Sequence, residues 1–371
     1  MKILIIESNE SKIERDYSTT SIVHVRNSVI IADYLKADLI SVEDEIPSVI
    51  NNKYDVIICA YASGYQMYRK YVKILLNNRD AKIFWLVNEY SVPDNIILRH
   101  FIQETEIGIC MLANVERHSY KQSHLNLTIA HRSLNEWIDE WSNVNLNVLI
   151  FDNSFVRSVK QDLFCNEKTD CLYYSTFRPD RTKDLLDYND ANIGISTSKK
   201  NVVTFNQAGV KARFGRKLSW ERGKEDLYNY KYSLYLEDTW THTNYNHMAN
   251  RFYECLMLDV LQFFDSRCQN TITLSGYTVD EFMIVKNGTE LTEKIKQIDS
   301  DQTLYDRLLE SQRSNLPTVL QEKKDVLKRI KEIIYAPKIK VVREPVKEED
   351  KKAKREKKVE EVTQTDIFTN Q

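Results

Sequence analysis

The sequence has little glycine, and this scarcity excludes the two most common phosphate-binding loops. The chain contains only 8 glycines among 371 residues, against an average usage of about 7%. Neither GxGxxG nor GxxxxGK[ST] occurs, so the dinucleotide fingerprint and the P-loop are both missing. Any phosphate site must therefore be built from side chains and helix N-termini.

Long apolar runs, metal-binding cysteine motifs and an excess of positive charge are also missing. No run approaches the roughly 20 residues of a membrane-spanning helix, and MKILIIES reaches Glu7 too early for a signal peptide. The six cysteines form no CxxC pair and have no histidine at zinc-ligand spacing. We therefore expect buried, reduced thiols, no metal site, no membrane association and a cytoplasmic location. The formal net charge of -2 gives no global signature of nucleic-acid binding, but a local basic face is compatible with it.

Short apolar runs alternate with amphipathic stretches in the first part of the chain. This alternation is typical of a parallel sheet covered by helices. Amphipathic stretches that predict helices are 25–36 and 65–78. Runs that predict buried strands are 2–7, 37–42, 54–61, 81–87, 106–112, 125–130 and 146–151.

The same alternation restarts after Asp152 and predicts a second α/β domain. Helical patterns begin at Pro179, at Asn250 and after the Asn287-Gly288 turn, and two more cover 301–315 and 318–334. The predicted strands are 171–177, 192–197, 231–238, 261–265 and a short one before Asn287.

The predicted fold class is α/β, with two Rossmann-like, doubly wound domains that face a central cleft. Ligands of such sheets bind beyond the carboxyl ends of the strands. The predicted divisions are an N-terminal Rossmann-like domain (1–152), a C-terminal Rossmann-like domain (153–315), a closing helix (316–336) and a charged tail (337–371). The tail carries dense charge of both signs, which predicts disorder or a solvated helix. Its role as a solubilising segment or a partner-binding arm is open.

Two polar segments follow predicted strands of the second domain. In YSTFRPDR, a strand is followed by Phe177, Arg178 and Arg181 near a helix N-terminus, an arrangement that suits a diphosphate. The alternative is that the arginines pair with Asp180 and Asp184 on a helix surface. The second segment, GISTSKKN, supplies Ser196 and Lys199, and the basic stretch 211–223, read as a loop, adds Arg216. The alternative for GISTSKKN is a polar loop.

The third candidate segment joins a strand ending in Glu237 and Asp238 to a helix that carries Arg251 and Glu254. Asn250 is suited to cap this helix. A carboxylate such as Glu254 accepts two ribose hydroxyls well. Alternatively, Arg251 and Glu254 pair with each other, because they lie three residues apart on one helical face.

The second domain resembles the C-terminal half of GT-B glycosyltransferases. The segments that carry this resemblance are, in chain order, YSTFRPDR, ISTSKKN, KYSLYLED, NRFYECL and QFF. The resemblance covers about residues 170 to 315 and is nearest to phage enzymes that transfer glucose or arabinose to hydroxymethylated pyrimidines in DNA. It departs from many GT-B enzymes in the glycine-free first loop, ESNESK.

The resemblance implies a nucleotide-sugar donor such as UDP-glucose or UDP-arabinose, with no tightly bound cofactor. It places Arg178, Arg181 and Lys199 on the diphosphate, with Arg251 beside them, and Glu254 on the ribose. The donor contacts that we predict also include Phe177, Ser196, Arg216 and Glu237, and Asp238 lies near the sugar as a catalytic candidate. Arginines neutralise a leaving diphosphate without a metal, so we expect no metal requirement.

An inverting transfer also needs a base for the acceptor hydroxyl. Glu89, in FWLVNEYS, follows an apolar strand and is the predicted base, with Glu7 as a second carboxylate and His24, His118 and His131 as weaker candidates. The alternative for each carboxylate is a helix cap or a solvent-exposed group. A retaining transfer needs no such base, and the sequence leaves the stereochemistry open.

The predicted function is glycosyl transfer from a UDP-sugar to 5-hydroxymethylcytosine in double-stranded phage DNA, in the host cytoplasm. Basic stretches with interleaved tyrosines, 69–79 and 114–126, are candidates for DNA contacts; the alternative is a solvated helix and loop. Two alternatives to this function are a glycan or protein acceptor and a non-catalytic binding protein. The sequence does not determine the oligomeric state.

Overall fold

A computed structural model describes two six-stranded sheets and the helices packed on them. The residues described are 1–7, 23–41, 52–60, 73–87, 109–113, 128–129, 132–133, 142–153, 169–175, 177–216, 218, 227, 229–244 and 247–337. The predictions for Glu89, His118, His131, the stretch 114–126 and the charged tail beyond Pro337 lie outside these ranges.

The first sheet is parallel throughout and has the strand order β2-β1-β3-β4-β5-β8. Its strands are rich in β-branched and aromatic residues, which suit a sheet covered on both faces. They are β1 (Ile3–Glu7), β2 (Asp38–Ser41), β3 (Val56–Cys59), β4 (Lys82–Val87), β5 (Ile109–Ala113) and β8 (Ser142–Asn143).

Helix α1 (Val23–Leu35) packs against β1 and β2, and a helical segment over 73–77 precedes β4. These elements confirm five of the seven strands predicted for the first part of the chain and the helix predicted over 25–36. Of the helix predicted over 65–78, the structure describes only the end, which is helical over 73–77. Strand β8 was not predicted, because its two residues, Ser142 and Asn143, are polar and do not form an apolar run.

Two apolar runs of the first part have different structures from those predicted. Residues 146–151 do not form a strand: Asn147–Ile150 is a 3-10 helix. Its Val148, Leu149 and Ile150 are buried, and it packs against α1 and two later helices. A short apolar run fits a buried helical turn as well as a buried strand. In the run 125–130, only β6 (Thr128–Ile129) is extended, and it pairs with β7 (Arg132–Ser133) in an antiparallel hairpin.

The second sheet has the order β11-β10-β9-β12-β13-β14 and is also parallel. This order, 3-2-1-4-5-6 when the strands are counted along the chain, is the doubly wound dinucleotide-binding topology. The strands are β9 (Thr169–Tyr174), β10 (Ile193–Thr197), β11 (Arg213–Arg216), β12 (Tyr230–Tyr235), β13 (Leu261–Asp265) and β14 (Ile284–Val285).

Helices follow most strands of this sheet, and the predicted β-α alternation is confirmed. They are α2 (Pro179–Leu185), α3 (Lys199–Gln207), α4 (Thr239–Asn244), α5 (Asn250–Met257), α6 (Gln269–Ser275), α7 (Gly288–Ser300), α8 (Gln302–Arg313) and α9 (Leu316–Tyr335). One correction concerns 211–223, which the sequence predicts to be a basic loop. Its residues Arg213–Arg216 form the edge strand β11, because Phe214 packs on the core beside β10.

Helix α9 returns to the first sheet. Near its carboxyl end, the Ile334 carbonyl accepts a hydrogen bond from the Lys82 ammonium at 2.7 Å. Its middle lies near the 3-10 helix and α1. Among the helices that the structure describes, none is both long and apolar enough to cross a lipid bilayer.

The described cysteines, at positions 59, 171, 255 and 268, are free and buried, as predicted. Burial raises the pKa of the Cys255 thiol to about 12, so this group is uncharged at neutral pH.

Candidate functional site

The strand order of the second sheet reverses between β9 and β12, and the predicted site residues follow these two strands. In open α/β sheets, ligands bind beyond the carboxyl ends of the strands at this switch point. Ser175, Arg178 and Arg181 come after β9, and Glu237 and Asp238 come after β12. Helix α5, which contributes Arg251 and Glu254, leads from this edge towards β13.

Glu237 is the centre of the site and joins two arginines. Its Oε2 accepts a hydrogen bond from Arg181 Nη2 at 2.6 Å, and its Oε1 accepts one from Arg251 Nη2 at 2.5 Å. The Glu237 residue is only 3% exposed. Because the two arginines come from different helices, this single carboxylate orders both α2 and α5 about the switch point.

Arg181 has two further contacts. Its Nη2 also reaches Asp238 Oδ2 at 3.1 Å, and its Nη1 donates to Ser175 Oγ at 2.6 Å. Its Nε is buried and has no hydrogen-bond acceptor among the described residues. Burial alone lowers the pKa of the guanidinium, but the Glu237 carboxylate outweighs burial and the pKa lies above its ordinary value. Arg181 therefore stays charged.

Arg251 lies in a cage of tyrosines. Its guanidinium carbon is 5.9, 6.0 and 5.8 Å from the ring centroids of Tyr173, Tyr174 and Tyr235, distances at which ring faces attract a cation. Burial lowers the pKa of Arg251, Glu237 raises it more, and the net direction is upward. The cage holds a permanent positive charge in a largely apolar setting.

Glu254 points to the same edge and accepts a hydrogen bond from the Tyr174 hydroxyl at 2.7 Å. Burial, followed by the Glu254 charge, raises the pKa of Tyr174 well above its ordinary value. The Tyr174 hydroxyl therefore remains a donor and orients the carboxylate, which is 7% exposed.

Asp238 begins helix α4, an element that the sequence did not predict. Its Oδ1 accepts hydrogen bonds from the backbone N–H and the hydroxyl of Thr241, at 2.9 and 2.8 Å. Burial raises the pKa of Asp238, but these bonds and the Arg181 charge lower it more, so the net direction is downward. Asp238 is held as a carboxylate.

The pairing differs from the surface pairs that the sequence offered as alternatives. Arg181 pairs with Glu237 and Asp238, whereas Asp184 pairs with Arg267. Arg251 pairs with Glu237. A second correction concerns the cap of α5: the N-cap residue is Ala249, and Asn250 is the first helical residue, with a buried Oδ1 that accepts no hydrogen bond from the described residues.

Arg178 and Lys199 lie at the rim of the site. Arg178 is the N-cap of α2, partly buried, and its side chain makes no ion pair with a described residue. Lys199 is exposed in the first turn of α3. These two cations are not neutralised by described carboxylates, in contrast to Arg181 and Arg251.

The other predicted donor residues are placed as follows. Ser196 is 4% exposed, and its hydroxyl accepts a hydrogen bond from Leu218 N. Phe177 packs edge-to-face on Phe205, with ring centroids 5.2 Å apart. Arg216 ends strand β11, and its side chain lies outside the described residues.

The two carboxylates predicted as bases lie in the first domain. Glu89 lies outside the described residues, two positions after β4 ends at Val87. Glu7 is fully buried at the carboxyl end of β1 and accepts a hydrogen bond from Ser28 on α1 at 2.7 Å. This contact gives Glu7 a structural role.

Sequence reasoning missed the tyrosines and Thr241. Tyr173, Tyr174 and Tyr235 belong to strands that read as buried, and nothing local indicates that their rings surround an arginine from α5. The signal that was available is the density of tyrosine in YKYSLY and CLYY, since a buried hydroxyl needs a partner.

Comparison with solved structures identifies the fold, whereas no protein-family model and no curated protein sequence matches the chain. The DNA-modifying enzyme β-glucosyltransferase, solved with and without uridine diphosphoglucose, superposes with a TM-score of 0.64 at 16% identity over 91% of this chain and all of that one. Another match is an α-glucosyltransferase in complex with UDP and a 13-mer DNA containing an HMU base (TM-score 0.56, 11% identity, 88% of this chain and 99% of that one).

A third match is Anabaena HepE in complex with UDP-glucose (TM-score 0.51, 10% identity, 89% of this chain and 99% of that one). These neighbours are GT-B glycosyltransferases. At such low identities the likeness establishes the fold, and this chain has the GT-B architecture.

Proposed function

We propose that this protein is a glycosyltransferase that moves a sugar from a UDP-sugar to a hydroxyl group, with 5-hydroxymethylcytosine in double-stranded DNA as the acceptor. The observation that carries the proposal is the charge arrangement at the β9/β12 switch point. Arg181 and Arg251 are ordered there by Glu237, with Glu254 oriented beside them. The GT-B architecture, and neighbours solved with UDP-glucose or with UDP and DNA, support the same function.

In the proposed donor complex, the diphosphate meets Arg178 and Lys199 at the rim, and Arg181 adds its positive charge from behind them. Because Glu237 and Asp238 already neutralise much of the inner charge, the rim cations supply the charge that is not yet balanced. Glu254 accepts the ribose hydroxyls, since a carboxylate offers two oxygens to two donors. Phe177 and Ser196 are proposed to lie on the outer side of the donor site, and Arg216, at the end of β11, stays a predicted donor contact.

The proposed reaction breaks the bond between the sugar C1 and the diphosphate oxygen and forms one between C1 and the acceptor oxygen. The electron pair leaves with the diphosphate, where guanidinium groups stabilise the developing charge. Asp238 lies near the sugar as a carboxylate that can stabilise positive charge at C1. For an inverting transfer, Glu89 takes the proton of the acceptor hydroxyl.

Donor binding tests the site directly. Arg178→Ala and Glu254→Ala should each weaken UDP affinity at least about tenfold, because a charge-assisted hydrogen bond contributes roughly 1.5–3 kcal/mol. Isothermal titration with UDP measures the effect. Arg307→Ala is the matched control, because the exposed Arg307 guanidinium pairs with Asp280, away from the predicted donor residues. UDP affinity that is unchanged in both site variants would refute the donor site.

We also propose that transfer needs no metal ion, because arginines stabilise the leaving diphosphate. No cluster of three or more metal-ligating side chains occurs among the described residues. A T4 phage β-glucosyltransferase has, however, been solved with UDP and Mn²⁺. Transfer activity should persist in excess EDTA and rise less than about threefold on Mn²⁺ addition, because the arginines already stabilise the negative charge of the leaving diphosphate. A loss of activity in EDTA that Mn²⁺ restores would contradict the proposal.

The acceptor is tested with a labelled UDP-sugar. Incubation with hydroxymethylcytosine DNA, unmodified DNA, oligosaccharides or protein should label the hydroxymethylated DNA alone. Label on a glycan or protein would instead establish the second acceptor class. A protein that binds no nucleoside diphosphate and labels nothing would be the non-catalytic binding protein. The proposed site of action is the cytoplasm of the host cell, where DNA and nucleotide sugars meet.

A further inference from the structure

Tyr253 lies on the side of helix α5 that faces away from Arg251. At about 3.6 residues per turn, it is rotated about 200° around the helix from Arg251 and about 100° from Glu254. Its side chain is fully buried and packs edge-to-face on Tyr277, with ring centroids 6.0 Å apart. Helix α5 therefore carries two predicted donor residues on one side and a buried hydroxyl on the other.

The Tyr253 hydroxyl belongs to a closed ring of hydrogen bonds among four side chains. Asn145 Nδ2 donates to Tyr253 Oη at 3.2 Å and to Glu322 Oε1 at 2.7 Å. The Tyr277 hydroxyl donates to Glu322 Oε2 and lies 3.4 Å from the Tyr253 hydroxyl. Burial raises the pKa of both tyrosines, so each hydroxyl keeps its proton. We call Asn145, Tyr253, Tyr277 and Glu322 the back-face ring.

The back-face ring joins helix α5 to the part of the chain that connects the two sheets. Asn145 precedes the 3-10 helix Asn147–Ile150, and Glu322 belongs to α9, which returns to the first sheet. The Asn145 amide contributes its Nδ2 to the ring, and its Oδ1 accepts a hydrogen bond from the Asn147 N–H at 3.1 Å. Hydrogen bonds in such a network polarise one another, so the loss of one member weakens the others.

A second contact from the same segment holds the start of α5. Asn147 Nδ2 donates to the Met248 carbonyl at 2.9 Å, and Met248 is buried immediately before the N-cap residue Ala249. The 3-10 helix that begins at Asn147 also packs on α5. The first turn of α5 is therefore fixed from behind at both ends, at Met248 and at Tyr253.

We infer that Asn147 and Tyr253 are positioning residues for the sugar donor, because they fix the helix that presents its binding groups. They act through Arg251 and Glu254, which α5 holds at the switch point. The inference rests on the proposed function, since it gives these contacts a consequence for UDP binding. Hydrogen bonds weaken steeply as distance and angle depart from their optimum, so a small shift of α5 lowers donor affinity without removing a donor contact.

The variant Tyr253→Phe tests the inference with the smallest change, because it removes the hydroxyl and keeps the aromatic ring. UDP affinity, measured by isothermal titration, should fall roughly three- to tenfold, the range that one lost hydrogen bond contributes. Tyr232→Phe is the matched control: it removes a buried hydroxyl that donates to Asp299 on α7 at 2.7 Å, away from α5. Both variants should lose thermal stability to a similar extent, and the control should keep the parental UDP affinity.

A double-mutant cycle separates positioning from general destabilisation. Asn147→Ala should lower UDP affinity roughly three- to tenfold in the parent. In a Glu254→Ala background the same change should lower it at most about twofold, because a group that Asn147 positions is then missing. Equal factors in the two backgrounds would show that Asn147 acts on stability alone.

The inference is overturned if either variant keeps the parental UDP affinity, if Tyr232→Phe loses as much affinity as Tyr253→Phe, or if the cycle is additive. A parent that binds no UDP would refute the proposed function and the inference with it. A parent that binds UDP beside variants of unchanged affinity would overturn the inference alone.

Discussion

Replacing Glu237 with alanine is expected to destabilise the protein by about 3–5 kcal/mol, the usual result of removing one partner of a buried ion pair. The change leaves the guanidiniums of Arg181 and Arg251 facing each other without the carboxylate that separates them. Burial disfavours both charges, and Asp238 at 3.1 Å from Arg181 compensates only one. Chemical unfolding followed by circular dichroism measures the loss.

The same change should abolish UDP binding, because α2 and α5 lose their common anchor. Glu237→Gln separates the two consequences: the amide retains the shape and one acceptor oxygen, so stability falls less, while the two arginines still lose their shared charge. Glu332→Ala is the control, because it removes a carboxylate whose ion pair lies at the surface: Glu332 is 3.9 Å from Lys328. Its effect should stay within about 0.5 kcal/mol. A Glu237→Ala protein as stable as this control would refute the central role of Glu237.

Replacing Glu89 with glutamine is expected to lower kcat by roughly a hundredfold to ten-thousandfold, the range that a general base contributes. Glutamine has nearly the same shape but cannot take a proton. Because Glu89 is assigned to the reaction and not to the donor, the UDP affinity of the variant should equal that of the parent. Single-turnover transfer to hydroxymethylcytosine DNA, with a parallel UDP titration, measures both quantities.

Glu7→Gln is the matched control for this experiment. Glu7 also ends a strand of the first sheet, but it is fully buried and accepts a hydrogen bond from Ser28. Its substitution should reduce stability and leave kcat within a fewfold of the parent. A Glu89→Gln enzyme with the parental kcat would show that Glu89 is not the base and would direct attention to a retaining mechanism, which needs none.

The alternation of apolar and amphipathic segments was enough to predict both sheets. Runs such as KILIIE and LQFFD have too many β-branched and aromatic residues for a surface helix, and their lengths suit strands. The positions of Arg178, Glu237 and Glu254 relative to strand ends followed from the same pattern, because parallel strands bring their carboxyl ends to one edge. The spacing of residues along the chain therefore predicted which residues lie at that edge.

The misassigned elements share a cause. The run 146–151 is as apolar as a strand, but it packs as a 3-10 helix between α1, α5 and α9. Strand β11 is too basic to look buried, and it forms because an edge strand needs only one covered face. Helix α4 begins where Asp238 caps it in a segment rich in asparagine and histidine. In each case the neighbours in space outweighed the local preference.

The sequence by itself determined the parallel α/β architecture, the absence of glycine-built phosphate loops and the group of charged residues at one sheet edge. These follow from residue spacing and composition, which act locally along the chain. Only the tertiary structure decided how the charges are divided: Arg181 and Arg251 share Glu237, while Arg178 and Lys199 remain at the rim. The reason is that Arg181 and Glu237 are 56 residues apart, and electrostatic pairing depends on distance and burial in the folded state, neither of which the spacing of residues contains.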